Sequence, residues 1–246
     1  MRATNQGIPQ RYQAHSLTIE HMFDYHVRPL EPVPLVADAG SVPFDDFGAP
    51  FTLEAEPGRV LGFVGSPGAG LTRLGLSLLA EPSQTGMVSV LDVRGWLCPV
   101  AAWEVGVDPQ RLIVVRCPDR HTWPKVAAAL VEGFPVVYAE VPAGIGDADL
   151  RRLGALTRAR RSSLILHPVS GDLPIGLLHL RLESAGVRWE GVDRGHGALL
   201  QRRLTLRASG KGVQGIERTM EVVDDGTRPV RLVPRLAAAP AGHAVG

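Results

Sequence analysis

The stretch 59-RVLGFVGSPGAGLTRLGLSL-78 changes character twice within twenty residues. Arg59 to Gly65 is a short aliphatic run of the kind that forms a strand buried on both faces. Gly65 to Gly70 is dense in glycine, and Leu71, Leu74 and Leu78 then recur at helical spacing. Strand, tight turn and amphipathic helix in this order open a βα unit, and the pattern repeats downstream. Further aliphatic runs at 87–92, 111–116, 135–140 and 162–167 read as buried strands. Residues 71–80, 98–106, 121–132 and 147–160 read as the crossover helices between them, the last with Leu150, Leu153 and Leu156 inward and arginines outward. After about residue 176 the period becomes two, as in Leu178, Leu180 and Leu182, Leu204 with Leu206, and Met220 with Val222, which predicts antiparallel strands. The expected fold class is α/β: a mostly parallel central sheet flanked by helices, extended by C-terminal antiparallel strands.

The 246 residues, 45% hydrophobic and 21% charged, suffice for one sizeable core plus extensions. A net charge of +1 gives no global attraction for a polyanion. Cys98 and Cys117 have no CxxC spacing, so neither a metal site nor a disulfide framework is expected, and a reducing cytoplasm is the expected location. Apolar runs such as 134–145 are interrupted well short of the roughly 20 residues that span a bilayer, so no membrane segment is expected. The divisions expected are an N-terminal arm or small subdomain (1–50) rich in proline and acids, a core (51–235), and a flexible tail (236–246) of small side chains.

The segment Gly65-Ser-Pro-Gly68-Ala-Gly70-Leu71-Thr72 meets the phosphate-loop pattern GxxxxGK[ST] everywhere except at lysine. Lysine there gives a full positive charge to the phosphates. A hydrogen bond to a charged group is worth about 1.5–3 kcal/mol, roughly ten- to a hundredfold in affinity, and Leu71 supplies none of it. The alternative is that the glycines serve only the tight turn between strand and helix. Arg73 could reach a phosphate instead, but its expected place is the exposed helix face, since side chains one position apart point about 100° away from each other.

Residues 91–116, LDVRGWLCP followed by AAWEVGVDPQRLIVVR, resemble the RecA stretch that reads DAEHALDP, a helix, LGVD and another strand. The resemblance extends over about 58–223 and places the chain near the ImuA and ImuA-prime proteins, RecA-like accessory factors of the mutasome. It implies a RecA-like core. It also puts Arg94 where RecA has the catalytic glutamate, Glu140 where an aspartate helps to hold magnesium, and His167 and Pro168 where an asparagine and a glutamine sense the γ-phosphate. A guanidinium cannot act as a general base, and proline has no side-chain donor. Leu71, Arg94 and Pro168 thus all depart in the direction that abolishes hydrolysis, and no enzymatic activity is expected. No cofactor is expected either, with weak ATP binding by the vestigial loop left open. His121, His167, His179 and His196 show no metal-ligand spacing, and GxSxG and HExxH are absent.

The segments matching the two DNA-binding loops of RecA, 141–148 and 168–176, contain no basic residue. Basic residues gather instead at Arg151, Arg152, Arg158, Arg160 and Arg161, and at Arg202, Arg203, Arg207, Lys211 and Arg218. Either group could contact phosphate or a partner. Alternatively, a hairpin near 209–215 would pair Arg203 and Arg207 with Glu217 and Glu221, giving ion pairs worth about 0.2–1 kcal/mol each.

The resemblance implies a non-catalytic accessory protein of translesion synthesis that binds an ImuB-type inactive Y-family polymerase relative and, through it, an error-prone C-family polymerase. Phe44, Phe47 and Phe51 would anchor the arm. A nucleotide-responsive switch and a structural DNA-binding module are the alternatives, and self-association is left open.

Overall fold

The structure, a computed structural model, describes residues 53–174, 176–191 and 200–224, and the backbone of 231–234. The expected arm, its helix at about 11–27, Phe44, Phe47 and Phe51, His196 and the expected tail lie outside the described residues.

Five parallel strands alternate with helices: β1 (Val60–Val64), α1 (Leu71–Ser77), α2 (Ala80–Thr85), β2 (Val88–Asp92), α3 (Pro99–Glu104), β3 (Leu112–Arg116), α4 (Trp123–Gly133), β4 (Val136–Val141), α5 (Asp147–Arg160) and β5 (Ser163–Pro168). Four strands follow: β6 (Leu180–Glu190), β7 (Gln201–Ser209), β8 (Arg218–Asp224) and β9 (Arg231–Pro234), with a 3-10 turn at Lys211–Val213 joining β7 to β8. All nine form one sheet in the order β3-β2-β4-β5-β1-β6-β7-β8-β9. β6 runs parallel to β1 and antiparallel to β7, so the direction changes one strand later than the shift in sequence period suggests.

Side chains alternate across a strand, so each parallel strand feeds two cores. Leu61, Phe63, Val90, Tyr138 and Ile165 face one cluster with Leu74, Leu76 and Leu79 of the α1–α2 region and Ala102 of α3. Val60, Leu91, Val137, Ala139 and Leu164 face the other, with Trp123, Ala127 and Leu130 of α4 and Leu150 and Leu153 of α5. From β6 onward only the first face is apolar: Leu182, Leu204, Leu206, Met220 and Val222 belong to the first cluster, and among the described side chains none of β6–β8 belongs to the second. This one-sided burial is why the sequence alternates there.

Three expectations change. The helix expected over 71–80 is two short ones, because Leu78 and Leu79 bond back three residues and close α1. β3, expected to be buried, is the sheet edge, half-buried with Ile113 exposed. Arg73, expected in solvent, has its side chain only 17% exposed, because the β7–β8 end of the sheet supplies Asp224 beside it.

Candidate functional site

The C-terminal ends of β1, β2, β4 and β5 meet at one corner, the usual position of a ligand crevice in an α/β sheet. A small pocket of about 40 Å³, room for only a few water molecules, is lined there by Gly65–Thr72, Arg94, His167, Pro168 and Val169. The sequence places these residues up to about a hundred positions apart, and the parallel sheet brings them together. The loop keeps its backbone shape: Gly68 and Gly70 have φ of 84° and 81°, values that favour glycine. Leu71, at the lysine position, is 2% exposed and belongs to the core cluster, with its Cδ1 packed beneath Gly65. Its side chain points away from where a phosphate would need charge.

Glu140 is the penultimate residue of β4, and its carboxylate is fully occupied. Oε1 accepts from Nε of Arg94 (3.0 Å) and from its Nη2, while Oε2 accepts the backbone N–H groups of Val93 (3.0 Å) and Arg94 (3.2 Å). Burial alone would raise the Glu140 carboxyl. The hydrogen bonds from the Arg94 side chain and from both backbone groups outweigh burial and hold it below its ordinary value. Four donors fill the roughly four lone-pair directions of a carboxylate, leaving none for a cation. The residues present therefore do not fit magnesium: the guanidinium stands where the ion's charge would be. Among the described residues, no group of three or more His, Cys, Asp or Glu could hold a metal.

Thr72, the hydroxyl position of the loop pattern, acts electrostatically on Tyr138. Burial pushes the phenol of Tyr138 well above its ordinary value, and a hydrogen bond from Thr72 acts against that rise. Tyr138 is therefore protonated, and its hydroxyl lies 2.5 Å from Nδ1 of His167. Tyr138 donating to Nδ1 leaves the proton of His167 on Nε2. Gly75 of α1 makes room for this ring, since a Cβ there would lie 2.3 Å from Cε2 of Tyr138.

His167 and Glu140 make the site acid-sensitive in different windows. Burial lowers His167 to about 4 from 6.5, so between those values the unfolded chain takes up a proton that the folded chain refuses. Stability contributed by the neutral ring is complete above about 6.5 and lost as pH falls towards 4. The depressed Glu140 contributes stability above the ordinary carboxylate range, lost as pH falls through its folded value. The thermal midpoint is thus expected to decline from about pH 6.5 downward, and His167→Gln to flatten the upper part of that decline. An unchanged profile in His167→Gln would contradict this assignment.

Two charged groups of β7 and β8, Arg202 and Asp224, approach the corner and meet Arg73 of α1. Asp224 accepts from Nη2 of Arg202 (2.7 Å) and pairs with Nε of Arg73 (2.9 Å), whose Nη1 donates to Glu104 (3.0 Å). The Arg202 guanidinium lies against Gly70, where a Cβ would fall 2.5 Å from its Cζ. Sequence reading did not connect Tyr138, Gly75, Arg202 and Asp224 to the site. Tyr138 carries the one available signal, as a phenol inside an otherwise aliphatic strand two residues before Glu140.

The other basic candidates are not part of this corner. Arg160 bonds Glu132 and Arg151 pairs with Asp147 on the α4–α5 surface, where Arg158 and Arg161 are exposed. Arg203 pairs with Glu190 and Glu221, and Arg207 with Glu217, which is the cross-strand pairing that the sequence alternation suggests. Lys211 sits in the turn between β7 and β8. No helix among the described residues is long and apolar enough to cross a membrane.

Strand order and direction, with a glycine loop after the first strand, define an α/β domain with a mostly parallel sheet extended by antiparallel strands, whose glycine-loop corner is closed by its own side chains. Residues 54–172 match the model of the MT3502 N-terminal domain family. Among solved structures the chain is similar to the RadB recombinase, at 16% identity and a TM-score of 0.48, covering 72% of this chain and 92% of that one. No curated protein matches the sequence.

Proposed function

We propose that the chain is a non-catalytic accessory protein of error-prone translesion DNA synthesis that acts by binding an ImuB-type inactive polymerase relative. The observation that carries the non-catalytic part is the Glu140–Arg94 pair: the carboxylate best placed to hold a metal is saturated by an internal cation. Leu71 in the core supports the same reading. The partner class comes from the resemblance of residues 91–116 to the ImuA-type proteins.

Calorimetric titration of the full chain with the cognate ImuB-type protein, with and without magnesium and ATP, tests both parts. Association at micromolar concentration or tighter is expected, with the same affinity in either buffer. No association would end the accessory reading. Affinity that depends on nucleotide would favour a nucleotide-responsive switch.

A further inference from the structure

The glycine-loop corner lies at the C-terminal ends of the parallel strands, and the opposite end of the sheet carries a different feature. Along the sheet order β5-β1-β6-β7-β8, every strand begins or turns at this end with a basic residue. Arg161 precedes β5, Arg59 precedes β1 and His179 precedes β6, while Lys211 sits in the turn from β7 to β8 and Arg218 opens β8. Strands pack about 4.8 Å apart, so the row runs about 19 Å along one edge.

Backbone hydrogen bonds make the row continuous. The N–H of Gly58, beside Arg59, donates to the carbonyl of Ser162, beside Arg161 (2.7 Å). The N–H of His179 donates to the Val60 carbonyl, and that of Gly212, beside Lys211, to the His179 carbonyl, both at 2.8 Å. The charges converge too. Burial, with the positive fields of Arg59 and Lys211, holds the His179 ring below its ordinary value against the opposing pull of Glu56. The ring is neutral, and the four other members carry the charge.

Little of that charge is spent inside the protein. Arg161, Lys211 and Arg218 form no ion pair among the described residues, and Arg161 and Lys211 are exposed. Arg59 pairs with Glu56 at 3.6 Å, with both side chains about half exposed, a contact worth little. Exposed Glu54 is the other acid beside the row, since Glu217, next to Arg218, is engaged by Arg207.

We infer that this edge, from Arg161 through Arg59 and Lys211 to Arg218, binds the phosphate backbone of a DNA duplex without regard to sequence. A line of unspent cations complements a line of phosphates, and phosphate contacts carry no sequence information. A single strand would need aromatic platforms for its bases. The exposed tryptophans lie elsewhere: Trp96 and Trp103 follow β2, and Trp189 is at the far end of β6. An acidic protein would need an apolar centre, and among the described residues Ile216 is the one exposed large hydrophobic side chain at this end of the five strands. The choice of DNA over RNA rests on the DNA-synthesis reading above.

The test uses the full chain without any partner. Fluorescence anisotropy follows a labelled DNA duplex, its single strand and an RNA duplex of the same sequence over a range of salt. Three proteins are compared: wild type, the edge variant Arg59→Gln/Arg161→Asn/Lys211→Gln, and the control Arg120→Gln/Lys125→Gln/Arg188→Gln. The control removes the same charge from exposed sites away from the edge, and asparagine suits the left-handed backbone of Arg161 (φ 55°). The DNA duplex is expected to bind most tightly, with a micromolar Kd and a log–log salt slope of about −3, as about three to four phosphate contacts give. The edge variant should lose at least about tenfold in affinity at low salt, and the control less than about twofold. Lys211→Gln alone, in an exposed turn, should make the slope shallower by about one, a reading that does not depend on the triple variant folding.

No duplex binding, equal losses in the two triple variants, or an unchanged slope in Lys211→Gln overturns the inference. So does binding to the single strand, the RNA duplex or anionic phospholipid vesicles that is as tight as to the DNA duplex. Duplex binding by a chain that fails to associate with the ImuB-type protein would keep this surface and remove the proposed function. Association without duplex binding would do the reverse.

Discussion

Arg94→Ala is expected to lower the stability of the folded chain by about 3–5 kcal/mol, the usual cost of removing one partner from a buried ion pair. The reason is the asymmetry of burial. The Glu140 side chain is 7% exposed and that of Arg94 21%, so the charge left behind is the one that water cannot reach. Two backbone donors remain to Oε2, while Oε1 loses both of its own. For a chain of this size the thermal midpoint should fall by roughly 10 °C. Glu140→Gln in the Arg94→Ala background should recover part of the loss, since an amide oxygen keeps the Val93 and Arg94 N–H bonds and carries no buried charge. Urea denaturation of the two single variants and the double variant gives the coupling directly. A loss below about 1 kcal/mol in Arg94→Ala would mean that the guanidinium is not the cation of this site.

Gly75→Ala should be nearly as damaging, at about 3 kcal/mol, the upper end of the usual range for overpacking. Helix propensity alone favours the change by up to about 1 kcal/mol, so the sign is decided by packing. The added methyl would lie 2.3 and 2.7 Å from two Tyr138 ring carbons and 3.3 Å from Phe63. A flexible side chain could move aside, but this ring is fully buried and its hydroxyl is tied to His167. Chemical denaturation provides the measurement, and combining Gly75→Ala with Tyr138→Leu, which removes the ring, should restore much of the loss. If Gly75→Ala were instead stabilising, the ring would have to be free to move.

Much of the fold was legible because it is written in periods. Aliphatic runs of about six residues mark strands buried on both faces, and alternation marks strands buried on one, so β1 to β5 lie within a residue or two of their expected bounds. Strand order was not legible: nothing in the run 111–116 says that it forms the edge, because partners are chosen by tertiary packing. The candidate site divided in the same way. The loop, Arg94, Glu140 and Pro168 stood out as departures from a pattern, but the closing of the corner depends on contacts between distant residues. Arg202 reaches Gly70 from 132 positions along the chain, and Gly75 matters only because Tyr138 lies opposite. Arg73 illustrates the same limit, since its helix position pointed outward and a strand from the other half of the chain covers it.

The position of β1 has a consequence for how the chain acquires this structure. β1 is the first described strand to leave the ribosome, yet its neighbours are β5 and β6: Val60 pairs with Leu164, and Leu61 with Leu180. Contacts between such distant parts of the sequence form late and slowly, because a long loop must close before any bond rewards it. Val60 to Val64, among the most apolar residues in the protein, therefore emerge without their neighbours and wait through more than a hundred residues of synthesis. During that interval they are an unpaired strand edge of the kind chaperones exist to cover.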